Sequence, residues 1–201
     1  MSTATIFTAL VGLLILAIIV WIFYSIIKRK DSDGSNSTHA YFYLVSFVTL
    51  GILFWAVSDL FRIFLGQYVF DNIDSYKYST TATNTFLRGV VARLVTILVT
   101  FPIWGFHWIK ANPVNPEELD KRSRRSYSLS VVIVSMVFTL AGWPYLIYVL
   151  VSGFLEIESK YLSKTLSIFL PYTILATILW IIHFRIWRKL SEKNNLLMKD
   201  L

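Results

Sequence analysis

Two histidines stand in matching positions of this 201-residue chain, where they could ligate a metal or a haem. His107 follows Trp104 in the run Trp-Gly-Phe-His-Trp, and His183 follows Trp180 in Trp-Ile-Ile-His-Phe. Imidazole binds several transition metals, and two facing imidazoles can hold a haem iron. We favour another interpretation, in which both are interfacial residues that combine an apolar ring with a polar edge. No Cys or third ligand accompanies them, so we expect no metal, and a haem or quinone is the alternative. The interfacial anchors would be Trp104, Trp108, Trp180 and Trp187.

A second candidate is a set of charged residues within apolar sequence. Thirteen uncharged residues separate Arg93 from His107, which is roughly 20 Å of helix and less than the ~30 Å hydrocarbon layer. One of the two therefore lies inside the layer. Asp59 and Arg93 lie about 27 and about 22 Å from the same interface. We predict that they form an ion pair, with Arg62 and Arg88 nearer the headgroups.

Three roles are open for this charged set. It could fix helix register or contact lipid headgroups, it could bind an anionic ligand or a partner subunit, or it could serve transport. Tyr145 and Phe169 occupy the matching positions later in the chain. We favour the first role, because that later segment does without the charges.

The composition indicates the elements that position these residues. Hydrophobic residues make up 56% of the chain and charged residues 15%, against roughly 45–50% and about 25% in soluble domains. These values indicate a membrane protein, and they exclude a soluble enzyme and a disulfide scaffold. The net charge of +7 requires no nucleic acid, because much of it comes from basic residues beside the apolar segments.

Five uncharged or nearly uncharged stretches are long enough to span a bilayer as helices. They cover residues 6–27, 41–65, 86–109, 127–155 and 165–187. The predicted fold class is an all-α integral membrane protein with five transmembrane helices, one anchor helix and two parallel two-helix repeats. The predicted units are an anchor (1–30), a linker (31–40), a first repeat (41–110), a basic loop (111–126), a second repeat (127–188) and a tail (189–201).

Basic residues predict the orientation of these spans. Thirteen Lys and Arg residues flank one side of the predicted spans, and three lie in the loops of the other. Because cytoplasmic loops carry the excess of Lys and Arg, we expect a bacterial plasma membrane protein with its N-terminus outside and its C-terminus in the cytoplasm. The basic run just before the fourth span is also expected to contact anionic lipid headgroups; it contains Lys121, Arg122, Arg124 and Arg125.

Both predicted repeats begin with a tyrosine, Tyr41 or Tyr127, and end with Trp-x-x-His and an aromatic residue. The segment Pro-Ile-Trp-Gly-Phe-His-Trp at 102–108 resembles a motif from a family of bacterial multi-pass proteins with a domain of unknown function. In that family a Tyr-led helix precedes a helix ending Pro-x-Trp-x-x-His-Trp. The second repeat departs from the motif at Ile178 and Phe184. The resemblance implies the two-helix repeat and no chemistry.

The sequence contains no nucleophile elbow, phosphate-binding loop, dinucleotide fingerprint or metal-ligand spacing. We therefore expect no enzymatic activity, and a structural or accessory subunit of a larger bacterial membrane complex. Its partners would be membrane lipids and other membrane subunits, without nucleic acid. The alternatives are an electron-transfer subunit that binds haem or quinone through His107 and His183, and a small transporter or channel. A transport cavity would be lined mainly by Ser130, Ser135, Thr139, Thr173 and Thr177.

Overall fold

A computed structural model describes residues 37–70, 80–112, 121–155 and 159–197 of the chain. These residues form four α-helices and no strand: α1 (Ser37–Tyr68), α2 (Thr80–Ala111), α3 (Lys121–Phe154) and α4 (Ser159–Leu197). All four are long and apolar enough to cross a membrane. The all-helical prediction is confirmed. The predicted number of five spans is not matched, because four are found and residues 6–27 lie outside the described residues.

The helices extend past the predicted spans at their polar ends. α1 begins at Ser37 within the predicted linker, α3 begins at Lys121 within the predicted basic loop, and α4 continues to Leu197. The predicted bounds followed the apolar residues alone. A helix needs apolar side chains only where lipid surrounds it, since water can satisfy the polar side chains of the turns beyond.

The helices pack as two antiparallel pairs. α1 lies against α2, α3 lies against α4, and α1 also contacts α4 and, less extensively, α3. We call the end where α1 and α3 begin the basic end, because Lys110 and Arg124 lie there; the other is the Asp59 end.

The second helix lies at the edge of this bundle. Only 6% of the apolar window of α2 is buried, compared with 33% in α1, 33% in α3 and 22% in α4. α2 therefore packs along one narrow face, and its remaining surface is almost entirely apolar.

Glycines permit the close approach of α3 and α4. A Cβ at Gly142 would overlap the side chain of Thr173, and a Cβ at Gly153 would come within 2.7 Å of Leu162. Small residues allow membrane helices to approach closely. In contrast, a Cβ at Gly51 of α1 would meet no atom within 4 Å.

Aromatic residues form the core at the basic end. Tyr43 of α1 and Tyr127 of α3 are almost fully buried, and their ring centroids lie 5.5 Å apart. Trp108 of α2 packs 5.3 Å from Tyr127. The hydroxyl of Tyr43 donates to the side-chain oxygen of Asn112 at 3.2 Å. This cluster fixes the ends of α1, α2 and α3 relative to one another.

Candidate functional site

The charged cluster is centred on Asp59, whose side chain is only 6% exposed. Nε of Arg93 donates to Oδ2 of Asp59 at 2.6 Å, and Nε of Arg62 donates to Oδ1 at 2.5 Å. Asp59 and Arg62 lie three residues apart on α1 and share one helix face. The carboxylate is therefore held by one arginine of its own helix and by one of α2.

A tyrosine from the other helix pair completes this cluster. The hydroxyl of Tyr172 in α4 donates to Oδ1 of Asp59 at 3.3 Å. The ring of Tyr172 also packs edge-on against Phe54 of α1, with 6.1 Å between centroids. Asp59 of α1 thus joins three helices, because Arg93 reaches it from α2 and Tyr172 reaches it from α4.

Trp55 forms a flat support for one of the arginines. The central guanidinium carbon of Arg93 lies 4.9 Å from the centre of the Trp55 ring, which is a cation–π distance. Trp55 is one turn from Asp59 on α1, so the guanidinium of Arg93 lies over the ring while Nε reaches the carboxylate. Arg88, the fourth predicted member, is exposed on α2 beyond Arg93, towards the start of the helix.

An aromatic contact joins the two residues that the predicted repeat aligns with Asp59 and Arg93. The rings of Tyr145 in α3 and Phe169 in α4 pack with centroids 4.6 Å apart. Both rings are about 40% exposed. The predicted repeat therefore aligns an ion pair in the first helix pair with an aromatic contact in the second.

The two histidines lie at the basic end in similar but separate surroundings. Nδ1 of His107 lies 2.7 Å from the carbonyl oxygen of Ile103, and Nδ1 of His183 lies 3.0 Å from that of Leu179. His107 packs 5.9 Å from Tyr41, and His183 packs 5.8 Å from Tyr127. His183 is buried, whereas His107 is partly exposed.

This placement leaves the two imidazoles on α2 and α4, which are not a closely packed helix pair. A haem held by both rings would need them to face each other across a gap. Each ring instead has one nitrogen at its own helix backbone and one side against a tyrosine. Within the described residues, no group of three or more His, Cys, Asp or Glu residues could hold a metal ion.

The four predicted tryptophan anchors are half-buried near the basic end. Trp104 and Trp108 are stacked on α2 at 6.1 Å. Phe184 connects the other two along α4, at 6.3 Å from Trp180 and 5.9 Å from Trp187. Of the predicted headgroup contacts, Lys121 and Arg122 fall in the first turn of α3, and Arg124 and Arg125 follow as half-buried side chains.

A sequence profile for a domain of unknown function, DUF5671, matches residues 39–182. The chain belongs to this family. No curated protein and no solved structure matches the chain significantly. The match confirms a family of unknown function, whereas the repeated unit and its motif stay predictions.

The DUF5671 region begins in α1 and ends in α4, so it contains the whole Asp59 cluster and His107. His183 lies one residue beyond the matched segment.

Sequence reasoning missed two members of the Asp59 cluster in the DUF5671 region. Trp55 could have been found, because its spacing to Asp59 places both on one face of α1. Tyr172 could not, since it reaches Asp59 only through the packing of α1 against α4, for which the sequence contains no periodic pattern.

The five hydroxyl residues of the transporter hypothesis bond to their own helices. Each donates to the carbonyl oxygen four residues earlier, at 2.6–2.9 Å. In addition, Nε1 of Trp143 donates to the hydroxyl oxygen of Thr177 at 3.0 Å. These contacts use the hydroxyl donors within the helices, and the transport hypothesis stays a prediction.

Proposed function

We propose that this DUF5671 protein is a non-catalytic structural or accessory subunit of a larger bacterial membrane complex. The observation that carries the proposal is the exposed apolar surface of α2. The side chains of Leu94, Leu98 and Phe101 are 43%, 71% and 57% exposed in the middle of this helix. A helix with one narrow buried face has surface available for a helix of another subunit.

Small residues on the same helix support a protein neighbour. A Cβ at Gly105 would meet nothing within 4 Å, and Ala92 is exposed. Membrane helices associate through close packing at small residues, because lipid tails are as apolar as leucine and give no hydrophobic driving force. Gly105 and Ala92 thus offer places where a second backbone can approach α2.

The test is the size of the particle extracted in mild detergent, measured by native electrophoresis on the full chain. We expect a stoichiometric complex well above the 23.2 kDa of the chain. Leu98→Trp should dissociate this complex without changing the stability of the chain. Leu140→Trp is the matched control, since Leu140 is 61% exposed on α3. A single-chain particle in the wild type, or equal effects of both substitutions, would contradict the proposal.

We also propose a duplicated architecture, with the anchor at 1–30 followed by two parallel two-helix repeats. When Tyr41 is aligned on Tyr127 and His107 on His183, several contacts correspond. The Tyr–His contacts are 5.9 and 5.8 Å. The buried hydroxyls of Thr49 and Ser135 align and bond to the carbonyls four residues earlier at 2.7 and 2.6 Å. These correspondences support a common origin of the pairs.

The proposed orientation places the N-terminus outside and the basic end in the cytoplasm. Because the chain has no cysteine, single cysteines can report it. We expect Ser2→Cys to react with an impermeant maleimide on intact cells and Ser191→Cys to react only after permeabilisation. The opposite pattern would reverse the orientation.

A further inference from the structure

We propose that Arg93, supported by Trp55 and Asp59, binds the phosphate group of an anionic lipid in the leaflet at the Asp59 end. The first reason is the way in which Asp59 holds Arg93. Oδ1 of the carboxylate accepts hydrogen bonds from Arg62 and Tyr172, and Oδ2 accepts one from Nε of Arg93. Asp59 therefore fixes Arg93 through Nε and does not engage the terminal NH2 groups of that guanidinium.

The second reason is that the contacts of Arg93 leave most of its hydrogen-bond donors unused. Its ion pair uses Nε, and its guanidinium lies over the ring of Trp55. The two terminal NH2 groups carry four of the five donors of an arginine. The side chain is 25% exposed and Trp55 is 47% exposed. The supported guanidinium thus has an edge of donors at the surface of the bundle.

The third reason is the direction of the side chain. Side chains on a helix lean towards its N-terminus, and α2 begins at the Asp59 end. Arg93 therefore leans towards the headgroups, which is the direction in which an arginine within a bilayer extends its charge. Arg62 has the opposite lean, because α1 ends there, and this brings it back onto Asp59.

The ligand follows from this geometry. A planar guanidinium binds phosphate through two parallel hydrogen bonds, and holding it in place reduces the entropy lost on binding. Donors that reach the surface of a bilayer require acceptors, and lipid phosphates are present at that depth. Free phosphate would offer the same chemistry. The second helix pair has Tyr145 and Phe169 at the matching level and is expected to bind neither.

The experiment measures lipid retained by the purified full chain in native mass spectrometry. The probes are phosphatidylglycerol, diacylglycerol and inorganic phosphate, each added alone. We expect one phosphatidylglycerol bound through Arg93 in each wild-type chain, in addition to lipid held by the basic run at the other end, and no diacylglycerol. Arg93→Gln should weaken retention about tenfold, which corresponds to the loss of a charge-assisted hydrogen bond.

Two further variants separate binding from folding. Trp55→Leu leaves the ion pair in place but removes the support, and should weaken retention several-fold. Tyr145→Phe is the control at the matching level and should retain lipid as the wild type does. Phosphate bound with the same dependence on Arg93 would support the site and assign it to a soluble anion. Equal retention by the wild type and Arg93→Gln, or no retention by the wild type of either phosphate probe, would overturn the proposal.

Discussion

The Asp59–Arg93 ion pair and the Tyr145–Phe169 contact stand at positions that the proposed repeat aligns, and they join the helices of their pairs by different interactions. In the first pair, a carboxylate that is 6% exposed accepts a hydrogen bond from the neighbouring helix at 2.6 Å. In the second, two rings pack at 4.6 Å. The second pair shows that two helices can pack at these aligned positions without a charged contact.

The two contacts also differ in how far they reach. Tyr145–Phe169 joins only α3 and α4, whereas Asp59 joins α1, α2 and, through Tyr172, α4. A buried ion pair adds little net stability compared with apolar packing, and in some proteins it specifies one arrangement of the helices. We infer that the Asp59 cluster sets the register of α2 and the position of Arg93, beyond what apolar packing would do.

The largest expected effect is that of Asp59→Asn. It leaves two arginines without their carboxylate and should lower the free energy of unfolding by about 2 kcal/mol; a fully buried pair would lose more. The measurement is reversible unfolding in mixed detergent micelles. Tyr145→Phe at the matching level is the control and should stay near the wild type. Equal stability of Asp59→Asn and the wild type would remove the structural role of the cluster.

The next effect tests how closely α3 and α4 pack. Gly142→Ala introduces a Cβ against Thr173 and should lower the free energy of unfolding by about 1.5 kcal/mol, since overpacking outweighs the gain in helix propensity. Gly51→Ala has open space and should be neutral or stabilising. Ala56 stands at the position of α1 that matches Gly142, so a neutral Gly142→Ala would mean that the second pair is packed no more tightly than the first.

A smaller effect is expected from the aromatic contact itself. Phe169→Leu keeps an apolar side chain but loses the ring contact with Tyr145, at a cost of about 1 kcal/mol in the same unfolding measurement. Phe154→Leu is the control, because Phe154 is 89% exposed at the end of α3. A loss in the control as large as that in Phe169→Leu would show that the ring contact contributes nothing specific.

The smallest effect concerns the link between the two helix pairs. Tyr172→Phe removes one hydrogen bond to Asp59 and should cost about 0.5 kcal/mol, because Arg62 and Arg93 still hold the carboxylate. Tyr148→Phe, at an exposed tyrosine of α3, should cost nothing. If Tyr172→Phe destabilised the protein as much as Asp59→Asn, the tyrosine rather than the arginines would hold the cluster together.

Much of the architecture could be predicted because the thickness of the bilayer sets the minimum length of a membrane-spanning helix. Four of the predicted spans coincide with α1–α4, and counting residues from one interface placed Asp59 and Arg93 at similar depths. Counting residues gives the depth of a side chain in the bilayer, but it does not show which neighbouring helix that side chain faces. It could not show that Tyr172 faces Asp59, or that α2 lies at the edge, because both depend on which helices become neighbours.

Local spacing had a different limit. The sequence shows that Trp55 lies one helical turn before Asp59. A tryptophan on a membrane helix is common, however, and does not by itself indicate a site. Its role becomes clear only in the fold, which brings Arg93 of α2 over the Trp55 ring. The helix ends at Ser37, Lys121 and Leu197 were missed because hydropathy marks where lipid lies, and helices extend past it.

The most direct test of the account is to give the first pair the aromatic contact of the second, in the double variant Asp59→Tyr with Arg93→Phe. The measurement is the free energy of unfolding in mixed micelles together with lipid retention. We predict that the double variant is more stable than either single variant and loses phosphatidylglycerol. A destabilisation equal to the sum of the single variants, or full retention of the lipid, would contradict the claim that this level packs without charge and that the charge serves binding.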